Sequence, residues 1–101
     1  MTQEISLNGR LCGRIEEGKF FTFRQPNHVM RKWGAFGVSE IVLKRLKNQG
    51  ISEVVIEYGG VRGTKKFKSH VDDFLNSQYI HVFEKFDKQY FIPIKQMEEL
   101  T

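Results

Sequence analysis

The chain has 101 residues, a length that predicts a single domain spanning residues 1–101. Hydrophobic residues make up 40% of it and aromatic residues 13%, which is enough apolar material for a folded core and argues against disorder. The single cysteine excludes an internal disulfide, and no stretch approaches the roughly 18 uninterrupted apolar residues of a membrane-spanning helix. We therefore expect an intracellular, cytoplasmic protein that does not bind a membrane.

The formal net charge of +4 is distributed unevenly along the chain. Residues 1–70 carry 13 Lys or Arg against 6 acidic residues, whereas residues 71–101 carry 3 Lys against 6 acidic residues. If the fold gathers the basic elements on one side, their field would attract phosphates at long range and weaken as salt is added.

Residues 4–24 predict a three-stranded antiparallel meander. The Asn-Gly pair at residues 8–9 is typical of a tight hairpin turn, and the Glu-Gly pair at residues 17–18 supplies a second turn. Residues 19–24 (KFFTFR) are rich in the aromatic residues that strands favour. Pro26 ends the meander because proline cannot donate to a strand ladder.

Residues 28–50 predict a short helical turn, a break and a firmer helix. The turn covers residues 28–33, and the glycine-containing residues 34–37 interrupt it. The firmer helix begins at Val38 or Ser39 and ends before Gly50, which suits the left-handed conformation that follows many helices. Its predicted apolar stripe consists of Ile41, Val42 and Leu46, with Leu43 at the margin.

Residues 51–58 (ISEVVIEY) are almost continuously apolar and predict a central strand covered on both faces. A glycine-rich turn at residues 59–63 leads to residues 64–68 (TKKFK), whose lysines suit an exposed edge strand. Further along, we expect a helix from His70 to Asn76 with Ser69 as its N-cap.

The C-terminal part of the chain predicts two more strands, at residues 79–86 and 89–94, and one helical turn at residues 95–101. The element order is then β-β-β-α-β-β-α-β-β. Tight turns between successive strands favour an α+β domain with a mainly antiparallel sheet and two helices packed on it.

Three groups of basic side chains are the strongest functional signal. The first group surrounds residues 28–32, and the second lies on the predicted hairpin at residues 62–68. With Trp33 added, these two groups form the predicted nucleic-acid-binding set: Arg24, His28, Arg31, Lys32, Trp33, Arg62, Lys65, Lys66 and Lys68. His28, Arg31 and Lys32 share a helix face because they are spaced three and four residues apart. The third group is Lys44, Arg45 and Lys47.

Each group also has a purely structural interpretation. Lysines on an edge hairpin prevent strands from aggregating, and cations at a helix C-terminus complement its dipole. Trp33 can stack on bases or pack in the core. Core packing is the expectation for Phe20, Phe21 and Phe23, although of two adjacent strand residues one must point inward and the other outward.

Catalytic and metal-binding signatures are weak in this sequence. The turn GGVRGTKK fails the pattern of a phosphate-binding P-loop and joins two strands instead of opening a helix. Glu53 and Glu57 point the same way on a predicted strand but lie about 13 Å apart, too far for one metal to bridge easily. We expect no catalytic residue, no metal and no cofactor, and a metal-dependent nuclease remains an open alternative.

Two functional hypotheses follow from the sequence. The first is a non-enzymatic domain that binds DNA or RNA through basic side chains on backbone phosphates. The second is a small protein-interaction or inhibitor domain, possibly oligomeric, that pairs an edge strand or binds an acidic partner and has no nucleic-acid role.

Overall fold

A computed structural model describes residues 2–7, 9–24, 28–60, 63–83 and 88–100, apart from the side chains of Arg24, His28 and Gly60. Within these ranges, strands β1 to β9 span Gln3–Leu7, Arg10–Glu16, Lys19–Arg24, Ala35–Ser39, Glu53–Gly60, Gly63–His70, Tyr79–Val82, Lys88–Pro93 and Glu98–Leu100. Helices α1, α2 and α3 span His28–Trp33, Glu40–Asn48 and Val71–Leu75, and a turn of 3-10 helix covers Ile94–Gln96.

The strands lie in two sheets. The larger has the order β1-β2-β3-β5-β6-β9 and the smaller the order β4-β8-β7. Every neighbouring pair is antiparallel except β3 and β5, which are parallel. A parallel pair needs a crossover connection, and the described part of it here, residues 28–52, contains α1, β4 and α2. The predicted α+β class with mainly antiparallel pairing is thus confirmed, with two sheets and three α-helices among the described residues.

The core lies between one face of the large sheet and the elements that cross it. Side chains alternate along β3, so Phe20 is buried on the inner face, Phe21 is half-buried on the outer face and Phe23, also on the outer face, is 52% exposed. The expectation that all three phenylalanines pack in the core is therefore wrong for Phe21 and Phe23, which lie on the outer face. From the opposite side, the buried ring of Phe36 in β4 meets Tyr58 and Phe67, with ring centroids 4.8 and 5.5 Å away.

Strand β4 lies where the sequence predicts a break. All five of its residues are buried, and the close approach of β8 explains its glycine. A Cβ on Gly37 would lie 2.5 Å from the ring of Phe91, its register partner in β8. The preceding glycine, Gly34, ends α1 with a φ of 59°. The two glycines therefore mark a helix end and a tight strand contact, not an irregular loop.

Helix α2 is rotated relative to the predicted stripe. Val42, Leu43 and Leu46 are buried, whereas Ile41 is 43% exposed. Positions 42, 43 and 46 share one helix face, and their side chains belong to the buried core. Leu43 thus belongs to the centre of the buried stripe, and the prediction for Ile41 is wrong.

The C-terminal region differs from the prediction in three places. Ser69 is not an N-cap, because β6 continues to His70 through pairing with β5 and buries Ser69. Strand β6 is not an edge, because β9 pairs with it antiparallel. Residues 98–100 form that strand where a helical turn was expected. The strand predicted at residues 79–86 is described only as Tyr79–Val82, and residues 84–87 lie outside the described part.

Replacing Phe36 with Ala should destabilise the protein strongly because this ring joins the small sheet to the large one. We expect the free energy of unfolding to fall by about 3 to 5 kcal/mol in urea denaturation. Phe23→Ala is the matched control, since the same group is removed from a half-exposed site, and it should cost less than half as much. Equal losses in the two variants would contradict the assigned core.

Candidate nucleic-acid interface

A cross-strand row at one end of the large sheet begins the candidate interface. Arg24 in β3 is aligned with Tyr58 in β5, and Tyr58 is aligned with Lys65 in β6. Adjacent strands are about 4.8 Å apart, so the backbones of Arg24 and Lys65 are separated by roughly 10 Å. Lys65 is exposed. The strand register thus brings one residue from each of the first two predicted basic groups to the same end of the sheet.

Helix α1 presents two further cations near this end. Val29 and Met30 are buried, and they turn Arg31 and Lys32 outward, where both are exposed. Strand β4 follows the helix and contacts the cross-strand row, because the ring of Phe36 packs against Tyr58. Phe36 lies three residues after Trp33 in the chain. Three extended residues span about 10 Å. Trp33, the last residue of α1, is thus no more than about 10 Å along the chain from a residue whose ring contacts this row.

The hairpin lysines have different surroundings. Lys65 and Lys66 are exposed on opposite faces of β6. Lys68 is less exposed, and its Nζ lies 3.9 Å from Glu53 Oε1 and 3.3 Å from Glu98 Oε2. The two carboxylates balance its charge. Arg62, also part of the predicted set, lies outside the described residues.

The ion pairs separate the basic residues into two groups. Six cations have a carboxylate within 4 Å: Arg14, Lys19, Lys44, Lys47, Lys68 and Lys88. Arg31, Lys32, Lys65 and Lys66 make no ion pair with any residue in the described ranges. Of the predicted set, these four are the described, exposed cations that keep their charge available for an external anion.

The third basic group has contacts within the protein. Lys44 lies 3.8 Å from Glu40, and Lys47 lies 3.1 Å from Asp72 in α3. Arg45 donates a hydrogen bond of 3.4 Å to the carbonyl oxygen of Ser6. The contacts of Arg45 and Lys47 join α2 to β1 and α3, whereas that of Lys44 lies within the helix, so this group contributes to the fold more than to a free cationic surface.

Trp33 is half-buried in an aromatic cluster of the small sheet. Its ring centroid lies 5.1 Å from that of Phe91, 5.9 Å from that of His81 and 6.3 Å from that of Tyr79. One side of the cluster opens to solvent through a cavity of about 340 Å³, lined by Trp33, Gly34, Ala35, Tyr79, Pro93 and Lys95. Sequence reasoning did not single out Tyr79 or Lys95, because no pattern reports that β7 and the turn after β8 face Trp33.

Glu40 at the start of α2 is held by the small sheet. Tyr90 donates a 2.6 Å hydrogen bond to Glu40 Oε2, and Lys88 Nζ lies 3.4 Å from the same oxygen. The hydrogen bond from Tyr90, together with the ammonium groups of Lys88 and Lys44, holds the pKa of Glu40 below its ordinary value near 4.5. The ionised carboxylate thus stabilises the contact between α2 and β8.

No group of three or more His, Cys, Asp or Glu within the described ranges is placed to hold a metal ion. Glu53 and Glu57 share the outer face of β5, and Glu53 lies 3.7 Å from Lys19 as well as close to Lys68. No helix in the described part of the chain is long and apolar enough to cross a membrane.

Tyr90→Phe should destabilise the protein at neutral pH by on the order of 1 kcal/mol, because Glu40 loses its strongest hydrogen bond. A lowered pKa stabilises the fold above the ordinary value, and the stabilisation disappears as the pH falls through the folded-state pKa. The difference between variant and wild type should therefore shrink between about pH 6 and about pH 3. Urea denaturation across this range tests it, with Tyr79→Phe as control; a difference independent of pH would contradict the assignment.

Comparison with known proteins found no matching family model, no similar curated protein and no similar solved structure.

Proposed function

We propose that this protein is a non-enzymatic nucleic-acid-binding domain that holds backbone phosphates at the basic end of its large sheet. The supporting observation is that Arg31, Lys32, Lys65 and Lys66 are exposed and have no carboxylate partner among the described residues. Arg24, His28 and Arg62 complete the basic set through their positions in the chain.

The distribution of ion pairs favours a phosphate ligand over a merely solvated surface. Cations that serve solubility or helix dipoles, such as Lys44 and Lys47, are paired with nearby carboxylates in this fold. Arg31 and Lys32 of α1 and Lys65 and Lys66 of β6 make no ion pair with any described residue, as is also true of Arg10 and Lys95, and the strand register puts Lys65 at the same sheet end as Arg24. Several cations at one place can neutralise several phosphates and release their counterions, which is the main source of sequence-independent affinity.

A protein-interaction domain is the second candidate, and strand β7 favours it. This edge strand of the small sheet carries no charged residue and exposes Tyr79, Ile80 and Val82. Exposed apolar edges can accept a further strand from another chain. This candidate predicts a discrete complex that survives moderate salt and no retention of nucleic acid, so a size measurement beside a binding assay separates it from the first.

The double variant Arg31→Gln/Lys32→Gln should bind DNA and RNA roughly tenfold more weakly at low salt, because two phosphate contacts are lost. The slope of log affinity against log salt should become shallower by about two. Filter-binding titrations at several salt concentrations measure both quantities.

Lys44→Gln/Lys47→Gln is the matched control for this experiment, since it removes the same charge from the surface of α2. It should leave the salt slope unchanged. Equal effects of the two double variants would mean that only net charge matters, and absence of binding at low salt by the unmodified protein would eliminate the proposal.

Single substitutions along β6 should distinguish lysines with no ion pair among the described residues from Lys68, which has two carboxylates nearby. Lys65→Gln and Lys66→Gln are each expected to reduce the salt slope by about one, because each side chain is free to contact a phosphate. Lys68→Gln should leave the slope unchanged, since Glu53 and Glu98 already engage its ammonium group. The same titrations measure all three variants, and a slope that changes only in Lys68→Gln would argue against this interface.

A further inference from the structure

We infer that the cavity beside Trp33 and Tyr79 accepts an unpaired nucleobase, so that single-stranded nucleic acid is the preferred ligand. This inference rests on the proposed phosphate-binding function and adds the part of the ligand that phosphate contacts cannot recognise. Its basis is the combination of an open aromatic surface, a Trp33 ring packed against the core, and a cavity-lining cation, Lys95, with no ion pair among the described residues.

The aromatic surface is accessible. Tyr79 is 52% exposed, and its ring is tilted by 52° from that of Trp33, so the two rings do not cover each other face to face. The cavity between them has a volume of about 340 Å³, within the range of small-molecule sites. Aromatic side chains beside a cationic surface are the usual stacking platforms for the bases of single strands.

The wall of the cavity is fixed by packing on its far side. Trp33 packs edge-on against the buried ring of Phe91, with an interplanar angle of 79°. Tyr79 is held through strand pairing opposite Phe91, and its backbone N–H donates a 3.1 Å hydrogen bond to Ser77 Oγ. Because the Trp33 ring and the Tyr79 backbone are positioned before a ligand arrives, a base loses less binding free energy to ordering the cavity.

The surrounding charges suit the sugar-phosphate backbone attached to such a base. Lys95 lines the cavity, is exposed and makes no ion pair with any residue in the described ranges. Arg31 and Lys32 immediately precede Trp33. Phosphates on α1 would therefore bring the next bases of a flexible strand to the cavity, whereas bases stacked and paired inside a duplex cannot leave it without an energetic cost.

The outer face of the large sheet is a weaker location for a base. Phe23 is as exposed there as Tyr79 is at the cavity, and its ring rests on Gly59. However, two cations of this face are engaged by carboxylates, Arg14 by Glu16 and Lys68 by Glu98, and Lys66 stands opposite Glu57 in the strand register. Phe23 therefore provides a matched control for Tyr79.

The test uses the fluorescence of Trp33, the only tryptophan of the chain. The full-length protein is titrated with an oligothymidylate of about eight nucleotides, with a duplex carrying the same number of phosphates, and with inorganic polyphosphate. We expect the single strand to quench Trp33 and to bind more tightly than the duplex, and polyphosphate to bind without the same quenching.

Tyr79→Ala should weaken binding of the single strand by about 5- to 100-fold, the usual effect of losing one stacked base, and change duplex binding by less than about twofold. Tyr79→Phe should retain the affinity of the unmodified protein. Phe23→Ala should not alter binding of either ligand. Circular dichroism of each variant checks that the fold is intact.

The outcomes distinguish this inference from the function on which it rests. If Arg31→Gln/Lys32→Gln weakens binding of both ligands while Tyr79→Ala weakens neither, phosphate binding stands and the base site is wrong. A loss caused by Phe23→Ala but not by Tyr79→Ala would place the base on the outer sheet face and overturn the inference. Binding of neither nucleic acid at low salt would eliminate both proposals.

Discussion

The parallel pairing of β3 with β5 is the constraint on which the rest of the architecture depends. Parallel neighbours cannot be joined by a tight turn, so the chain must return from the end of β3 to the start of β5. The described part of this return is residues 28–52, which include α1, β4 and α2. The buried ring of Phe36 on that crossover then packs against the sheet and builds the core.

The same pairing determines where the cations lie. Arg24 at the end of β3 is adjacent to Tyr58 near the end of β5, and β6 pairs with β5 on its other side. The crossover leaves the sheet at this end, so α1 with Arg31 and Lys32 follows directly. The register thus aligns Arg24 and Lys65, which are distant in the sequence, on either side of Tyr58, while Lys47, on the later part of the crossover, contacts Asp72 in α3.

Local patterns in the sequence predict much of this fold, since the bounds of β2 and β3 and the existence of α2 follow from residue types and turn signals. They fail where tertiary contacts decide. From the sequence, Gly37 predicts a break between helices. The structure shows that it lies in a strand, where the ring of Phe91 leaves no room for a side chain. For the site, spacing predicts that Arg31 and Lys32 share a face, but it does not reveal that Glu98, far along the chain, balances the charge of Lys68.

Trp33 illustrates why core packing and ligand binding are compatible interpretations of one aromatic residue. An indole is large enough to contact the core through one part and line a cavity with another, and Trp33 does both beside Phe91 and Tyr79. Core packing gives the ring a defined position, which a stacking surface requires for affinity. The segment from His28 to Gly34 therefore has two features. It lies between a strand of the large sheet and a strand of the small one, which the fold requires, and it carries two cations directly before an aromatic residue that lines a cavity, which the fold does not require.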